Sequence, residues 1–400
     1  MSLDHPGTGS TETTETSETS ETSETTETTP PPPLEPTDPS GEPAAGDGRG
    51  SLRTSRGTLA ALIAIFVGLL IGAVGNIVHL PYAILQPGPA SNVLGKDSQG
   101  TSDLIAISGE KTYAATGSLD FTTVRVNGGP GYPVNVWDLL SAKFAGDQEI
   151  YPVDVIFPPA QSAADVAATN TAEMVDSQQE AAAVALTKLG FTVTQRVKVG
   201  QIAAGAPSGD VLKVGDVITR VGTAPVTDAT SVRAQIQKAT PGGVLAIGVV
   251  RDGKPVSVEA KTGASGGRTV LGIVLAIDFQ FPFSVKIDAG NVGGPSAGLM
   301  FSLGIYDKLT DGNLTGGANI AGTGTIDSTG TVGAIGGIRQ KMAGARAAGA
   351  TWFLAPADNC NEVVDHVPSG MQAVKVATFD DAEAAVAKIG QGQTSGLPRC

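Results

Sequence analysis

The chain has 400 residues, enough for two to three domains of ordinary size. With 3 His and 2 Cys it has too few ligands for a multi-Cys/His zinc site, an iron–sulfur cluster or a disulfide-framework miniprotein. Charged residues are 16% and aromatics 4%, while glycines number 53, which favours tight turns and Ala/Val/Ile packing over a charged helical array. The net charge of −13 is uneven: residues 1–50 hold 11 acids and one base, Arg49, and the other 350 residues are nearly neutral. Such a body has no basic field, so nucleic acid is not an expected partner.

From Thr11 to Thr29 the sequence cycles through Thr, Glu and Ser and then enters Pro30–Pro33. This stretch has almost nothing apolar to bury, which predicts a disordered acidic arm over 1–57. Thr58 to Val78 follows without a charge and with one amide, Asn76. A helix over 58–78 would rise about 30 Å, the thickness of a hydrocarbon core, and it has no polar stripe to face water. Arg49, Arg53 and Arg56 precede it, whereas the stretch through Gly95 has no Lys or Arg. The asymmetry predicts a cytoplasmic N-terminus, with the C-terminal part outside the cytoplasm. A cleaved signal peptide is the rival reading, disfavoured by the long preceding arm.

Beyond Pro87-Gly88-Pro89, alternating runs predict strands at Leu104–Ser108 and Ser118–Val126. Trp137–Phe144 reads as a short helix, and 162–189, rich in Ala, Gln and Glu, as a long helix or two abutting ones. Between Gly190 and Lys261 come Gly205-Ala206-Pro207-Ser208, Leu212-Lys213-Val214-Gly215-Asp216-Val217-Ile218 and Val221-Gly222-Thr223-Ala224-Pro225-Val226. A helix-like stretch, Asp228–Lys238, precedes a strand pair turning at Asp252-Gly253, a strong hairpin signal. This order resembles a PDZ domain of membrane-linked bacterial proteases. The resemblance implies that Leu189, Gly190, Phe191, Thr192 and Val193 form the carboxylate-binding loop and docking strand for the C-terminus of a peptide. A PDZ fold that only packs or gates is the alternative.

The next region carries chemistry. Gly293-Gly294-Pro295-Ser296-Ala297-Gly298 leads into an apolar helix, Leu299–Leu309. Pro295 suits a first helical turn, and Ser296 would stand at the positive end of the helix dipole, where amides can hold an oxyanion. The plainer reading of Ser296 is a helix cap. Ala321-Gly322-Thr323-Gly324-Thr325-Ile326 follows, and Val332-Gly333-Ala334-Ile335-Gly336-Gly337-Ile338-Arg339-Gln340-Lys341 opens another helix ending near Gly349. Lys341 taken alone reads as a solvated lysine.

Taken together, over roughly 282–390, these motifs resemble the proteolytic domain of the ATP-dependent Lon proteases. The resemblance implies a Ser–Lys dyad, with Ser296 as nucleophile, Lys341 as general base and Thr323 helping to hold the lysine. Ala350–Pro356 and Asn359 match that family's strand and Asn-bearing turn. The chain has Gly293 where many Lon proteases carry an acidic residue, and it has no phosphate loop of the G-x-x-x-x-G-K-[ST] form. No nucleotide, cofactor or metal is therefore expected. A triad through Asp365-His366 would need adjacent residues to face one another, and a thiol mechanism at Cys360 would have only His366 as base. A Cys360–Cys400 bridge is open outside the cytoplasm.

The expected fold is α+β: one N-terminal transmembrane helix, a β-rich PDZ domain and a Lon-type α+β proteolytic domain. The expected division is an acidic arm over 1–57, the span at 58–78, and an extracytoplasmic α/β region over 79–178 packing on the protease. The PDZ domain would take 179–262, the proteolytic domain 263–390 and a flexible tail 391–400. The expected function is ATP-independent, membrane-anchored serine endopeptidase action on protein or peptide substrates. The alternative is a membrane-tethered peptide-binding scaffold with an idle Lon fold. A homo-oligomer is compatible with the sequence but not demanded by it.

Overall fold

The computed structural model describes residues 55–97, 99–157 and 161–400. The acidic arm expected over 1–57, with Arg49 and Arg53, lies outside the described residues as far as Thr54. Helix α1 (Arg56–Ile77) has 22 residues and a mean hydropathy of 2.5, and the protein buries none of its most apolar stretch. At 1.5 Å per residue it is about 33 Å long.

The larger sheet has six main strands. They are β1 (Tyr82–Asn92), β3 (Ser118–Asn127), β4 (Glu149–Pro152), β11 (Asn319–Gly322), β12 (Trp352–Pro356) and β13 (Gln372–Val376), in the order β13-β12-β11-β3-β1-β4. Strands β3, β11, β12 and β13 run parallel, and β1 pairs antiparallel with β3 and β4. A short strand, β2 (Ile105–Ser108), lies between β1 and β3 in sequence and pairs elsewhere. Helix α2 (Val136–Phe144) joins β3 to β4.

Side chains along the sheet alternate between two cores, as a period of two requires. Ile320, Leu354, Val374 and Val376 enter one core. The long helix α3 (Ala163–Lys188), α5 (Gly298–Leu309) and α7 (Phe379–Gly390) supply Leu186, Phe301 and Val386 to the same core. Ala321, Phe353, Ala355 and Ala373 face the other way, against Ile338, Met342 and Ala345 of α6 (Ile338–Ala347). Strand β1 has no counterpart among the expected strands, and it contains Pro87-Gly88-Pro89. The pairing with β3 shifts register between Pro87 and Ala90, so these residues sit at an irregularity that a strand tolerates.

The second sheet follows α3. It contains β5 (Thr194–Ile202), β6 (Val217–Val221), β7 (Val244–Arg251), β8 (Lys254–Lys261) and β9 (Ile273–Gln280), in the order β8-β7-β6-β5-β9. Helix α4 (Ala229–Gln237) covers it with Val232 and Ile236. The expected start at 179 falls inside α3, whose Met174–Leu186 side packs in the first core. An end at 262 falls short of β9, which pairs with β5 over eight residues. Past β9, Phe281 and Phe283 pack on the first core, and β10 (Ser284–Ile287) pairs with β2. The smaller sheet is thus inserted between α3 and β10, two elements of the larger unit.

Candidate active site

Lys341 lies on α6, is 2% exposed, and points its Nζ at two oxygens. Nζ donates to the Thr122 carbonyl at 2.7 Å and lies 2.9 Å from Ser296 Oγ. Among the described residues no carboxylate pairs with this amine, and burial pushes its pKa down from 10.5 to about 8. Desolvation penalises the charged form, and no carboxylate among the described residues offsets it. Roughly a tenth of such lysines are neutral at pH 7. A neutral amine beside a hydroxyl can take its proton, whereas an ammonium can only donate to it.

The helix after Ser296 starts later than the sequence implies. Helix α5 begins at Gly298, Ala297 is its N-cap, and no side chain caps it. Ser296 is therefore not a cap, and its hydroxyl is directed to Lys341. Its loop is held at several points. The Gly294 amide donates to Asn170 O and Ser177 Oγ donates to Pro295 O, both at 2.9 Å and both from α3. The Ser296 carbonyl accepts from Thr323 Oγ1 and from the Gly324 amide, also at 2.9 Å. The amides of Ser296 and Ala297 have no partner among the described residues.

Thr323 thus does something other than expected. It is fully buried and fixes the backbone of Ser296, while the hold on Lys341 comes from the Thr122 carbonyl of β3. Asn359 grips the loop before α6 at both ends of its amide, accepting from Ile335 N at 2.9 Å and donating to Ile335 O at 2.8 Å. Gly344 of α6 lies over the carbonyl of Gly88, leaving no room for a Cβ, which fixes the depth at which Lys341 is carried. At Gly293 a Cβ would stand 2.7 Å from Asn170 Cβ, so α3 fills the space beside the loop.

The groove around Ser296 and Lys341 has a volume of 660 Å³, with apolar walls from Leu85, Phe121, Val124, Val126, Ile156 and Val292. His366 lies away from it, bonded through Nδ1 to Val364 O, and the Asp365-His366 pair meets neither Ser296 nor Lys341. Cys360 and Cys400 are joined in a disulfide, so no free thiol remains.

Leu189, Gly190, Phe191, Thr192 and Val193 do not form a docking edge. Leu189 caps α3, Phe191 packs edge-on against Phe283 at 5.0 Å, and Val193 packs on the larger core. The strand they enter, β5, is paired by β9 along its length and by β6 at Val197 and Lys198. No added strand fits there. The edge strands of this sheet are β8 and β9, and a cleft of 560 Å³ separates β9 from α4, lined by Arg233 and Ile236 on one side and Ile273 and Leu275 on the other. At its mouth, Gly272 has φ 76° and the carbonyls of Leu271 and Gly272 turn inward to Ser208 Oγ and the Ala203 amide. The amides of Leu271 and Gly272 have no partner among the described residues.

Residues 173–262 match the PDZ domain family, and residues 282–388 match the Lon protease (S16) C-terminal proteolytic domain. No curated protein matches the chain. Among solved structures, the PDZ domain of an SdrC-like protein from Listeria monocytogenes is 25% identical, covering 20% of this chain and 85% of its own, with a TM-score of 0.19. That of an SdrC-like protein from Listeria innocua is 20% identical over 20% and 92%, with a TM-score of 0.19. A protein from Geobacillus thermodenitrificans is 18% identical over 20% and 94%, with a TM-score of 0.18.

The buried lysine also makes a thermodynamic prediction. Its folded pKa of about 8 lies below the unfolded 10.5, so the native state releases the proton first as pH rises. Protonation therefore costs the native state about 3 kcal/mol below pH 8, a cost that fades toward pH 10.5. Lys341→Met removes it but strands the Thr122 carbonyl, so the variant should gain about 1–2 kcal/mol at pH 7 and lose that advantage above pH 10. Urea unfolding across pH reads this, and a variant less stable at every pH would contradict it. In domain content, this chain matches a PDZ-containing Lon-like protease.

Proposed function

We propose that the chain is a membrane-anchored serine endopeptidase that cleaves peptide bonds without ATP, through a dyad of Ser296 and Lys341. The 2.9 Å approach of Lys341 Nζ to Ser296 Oγ, in a site where burial favours the neutral amine, is the observation that carries this reading. Ser296 Oγ attacks the scissile carbonyl as its proton passes to Nζ, forming the C–O bond and an oxyanion. The free amides of Ser296 and Ala297 are suited to hold that oxyanion. Lys341 then returns the proton to the leaving nitrogen as the C–N bond breaks, and water repeats the sequence on the acyl-enzyme. The apolar walls of the groove favour apolar side chains beside the scissile bond. An idle Lon fold has no physical need of an uncompensated buried lysine, which disfavours the scaffold reading.

Helix α1 is the anchor in this proposal, with the catalytic part outside the cytoplasm. The length and exposure of α1 support the first point. The Cys360–Cys400 disulfide supports the second, because such bonds persist in oxidising compartments. The PDZ domain takes the C-terminus of a peptide in the β9–α4 cleft. The peptide adds a strand to β9, and its carboxylate sits at the amides of Leu271 and Gly272.

Cleavage of a chromogenic peptide should rise with pH through an inflection near 8, the pH at which Lys341 becomes neutral. Lys341→Arg should be inactive throughout, because a guanidinium stays protonated. Near wild-type cleavage by Lys341→Arg would remove Lys341 as the base.

Peptides with a free apolar C-terminus should bind the PDZ domain and protect the amides of Leu271 and Gly272 from hydrogen exchange. Amidating that terminus should weaken binding about tenfold, the loss of one charge-assisted contact. Equal affinities, or protection at Gly190–Val193 instead, would contradict the assignment.

A further inference from the structure

Helix α2 presents the wrong face to water. A capping box of Asn135 and Asp138 starts it, and Ala142 and Leu139 pack inward against Ile84 and Val134. On the opposite side stand Val136, Trp137, Leu140 and Phe144, within roughly 100° of one another around the helix. All four are exposed, Phe144 by 81%, and Tyr132 just before the helix by 73%. A helix of a soluble protein carries polar residues there.

The end of α1 gives that face a position. Trp137 Nε1 donates to the carbonyl of Gly72 at 3.2 Å, and the indole lies so close over Gly75 that a Cβ there would be 2.6 Å from Nε1. Asn135 Nδ2 donates to Asn76 Oδ1 at 3.3 Å. Gly72 and Gly75 precede the end of α1 at Ile77 by five and two residues, which is about 8 and 3 Å along the axis. A bilayer crossed by α1 therefore reaches Trp137, at the depth where amphipathic interfacial helices and aromatic belts lie.

We propose that the exposed face of α2 is embedded in the bilayer interface, with Trp137, Leu140 and Phe144 among the lipid and Lys143 at the rim. The inference rests on the anchoring reading of α1. Lys143 is exposed at the edge of the apolar face, where a long cationic side chain can reach the headgroups. The protease unit is then seated on the membrane instead of swinging from a single tether. Ile84 packs under α2 while its neighbour Leu85 lines the catalytic groove, and Leu85 is only eight residues past the end of α1. Even fully extended, eight residues span less than about 30 Å. The groove thus serves chain segments held close to the membrane surface.

The test uses the full chain in phosphatidylcholine vesicles whose lipids are brominated either near the headgroup or near the chain end. The protein has two tryptophans, so the wild type minus Trp137→Phe fluorescence is that of Trp137, with Trp352 common to both. Headgroup-proximal bromine should remove most of the difference signal, and chain-end bromine far less. Trp137→Phe/Phe144→Trp should regain shallow quenching, because the reporter stays on the same face. Washing the vesicles in alkaline carbonate separates the two readings. A chain that washes off defeats the anchoring and this inference together. A chain that is retained with an unquenched difference signal defeats the embedding alone. In that case, dissociation of an oligomer by Leu140→Glu would assign the face to a second copy.

Discussion

Lys341 Nζ lies 2.9 Å from Ser296 Oγ and 2.7 Å from the Thr122 carbonyl, and the burial that lowers its pKa to about 8 is the work of two cores and a sheet. Helix α6 must lie deep enough to hide the amine, which Gly344 permits by approaching the carbonyl of Gly88. Strand β3 must outlast β11, so that the carbonyl of Thr122 is left for the lysine beyond the last paired residues, Phe121 and Gly322. The loop of Ser296 must be stiff, and the bonds from Asn170, Ser177, Thr323 and Gly324 make it so. A charged group in that position would demand a carboxylate partner. With none among the described residues, the penalty of burial is uncompensated and the pKa falls to about 8.

The clamp on Ser296 also joins the two sheets. Helix α3 bonds the Ser296 loop through Asn170 and Ser177 and then leads into β5 of the smaller sheet. The return path, β9 through Phe281 and Phe283 to β10, reaches Ser296 within sixteen residues of Gln280. The smaller sheet is therefore attached at both ends to segments that lead to the Ser296 loop.

Much of this was legible in the sequence because it depends on local spacing. The glycine-rich approach to Ser296, the IGGIRQK opening of α6 and the apolar run of α1 each carry their own signal. The lysine's second partner is a backbone carbonyl, which leaves no trace in residue type. The interior position of β5 was hidden for a different reason. Leu189-Gly190-Phe191 and Leu271-Gly272-Ile273 have the same form, and each precedes an alternating run. Only the non-local pairing decides that β5 is interior and β9 is an edge. Strand β1 contains Pro87 and Pro89, whose missing donors are tolerated at the register shift.

The central claim is that Ser296 is acylated because Lys341 can take its proton. Intact-mass spectrometry after brief exposure to an activated peptidyl ester near pH 8, quenched in acid, tests it most directly. The account predicts one acyl adduct on the peptide containing Ser296 in the wild type, and none in Ser296→Ala or Lys341→Met. An adduct on another residue, or equal acylation in Lys341→Met, would contradict it.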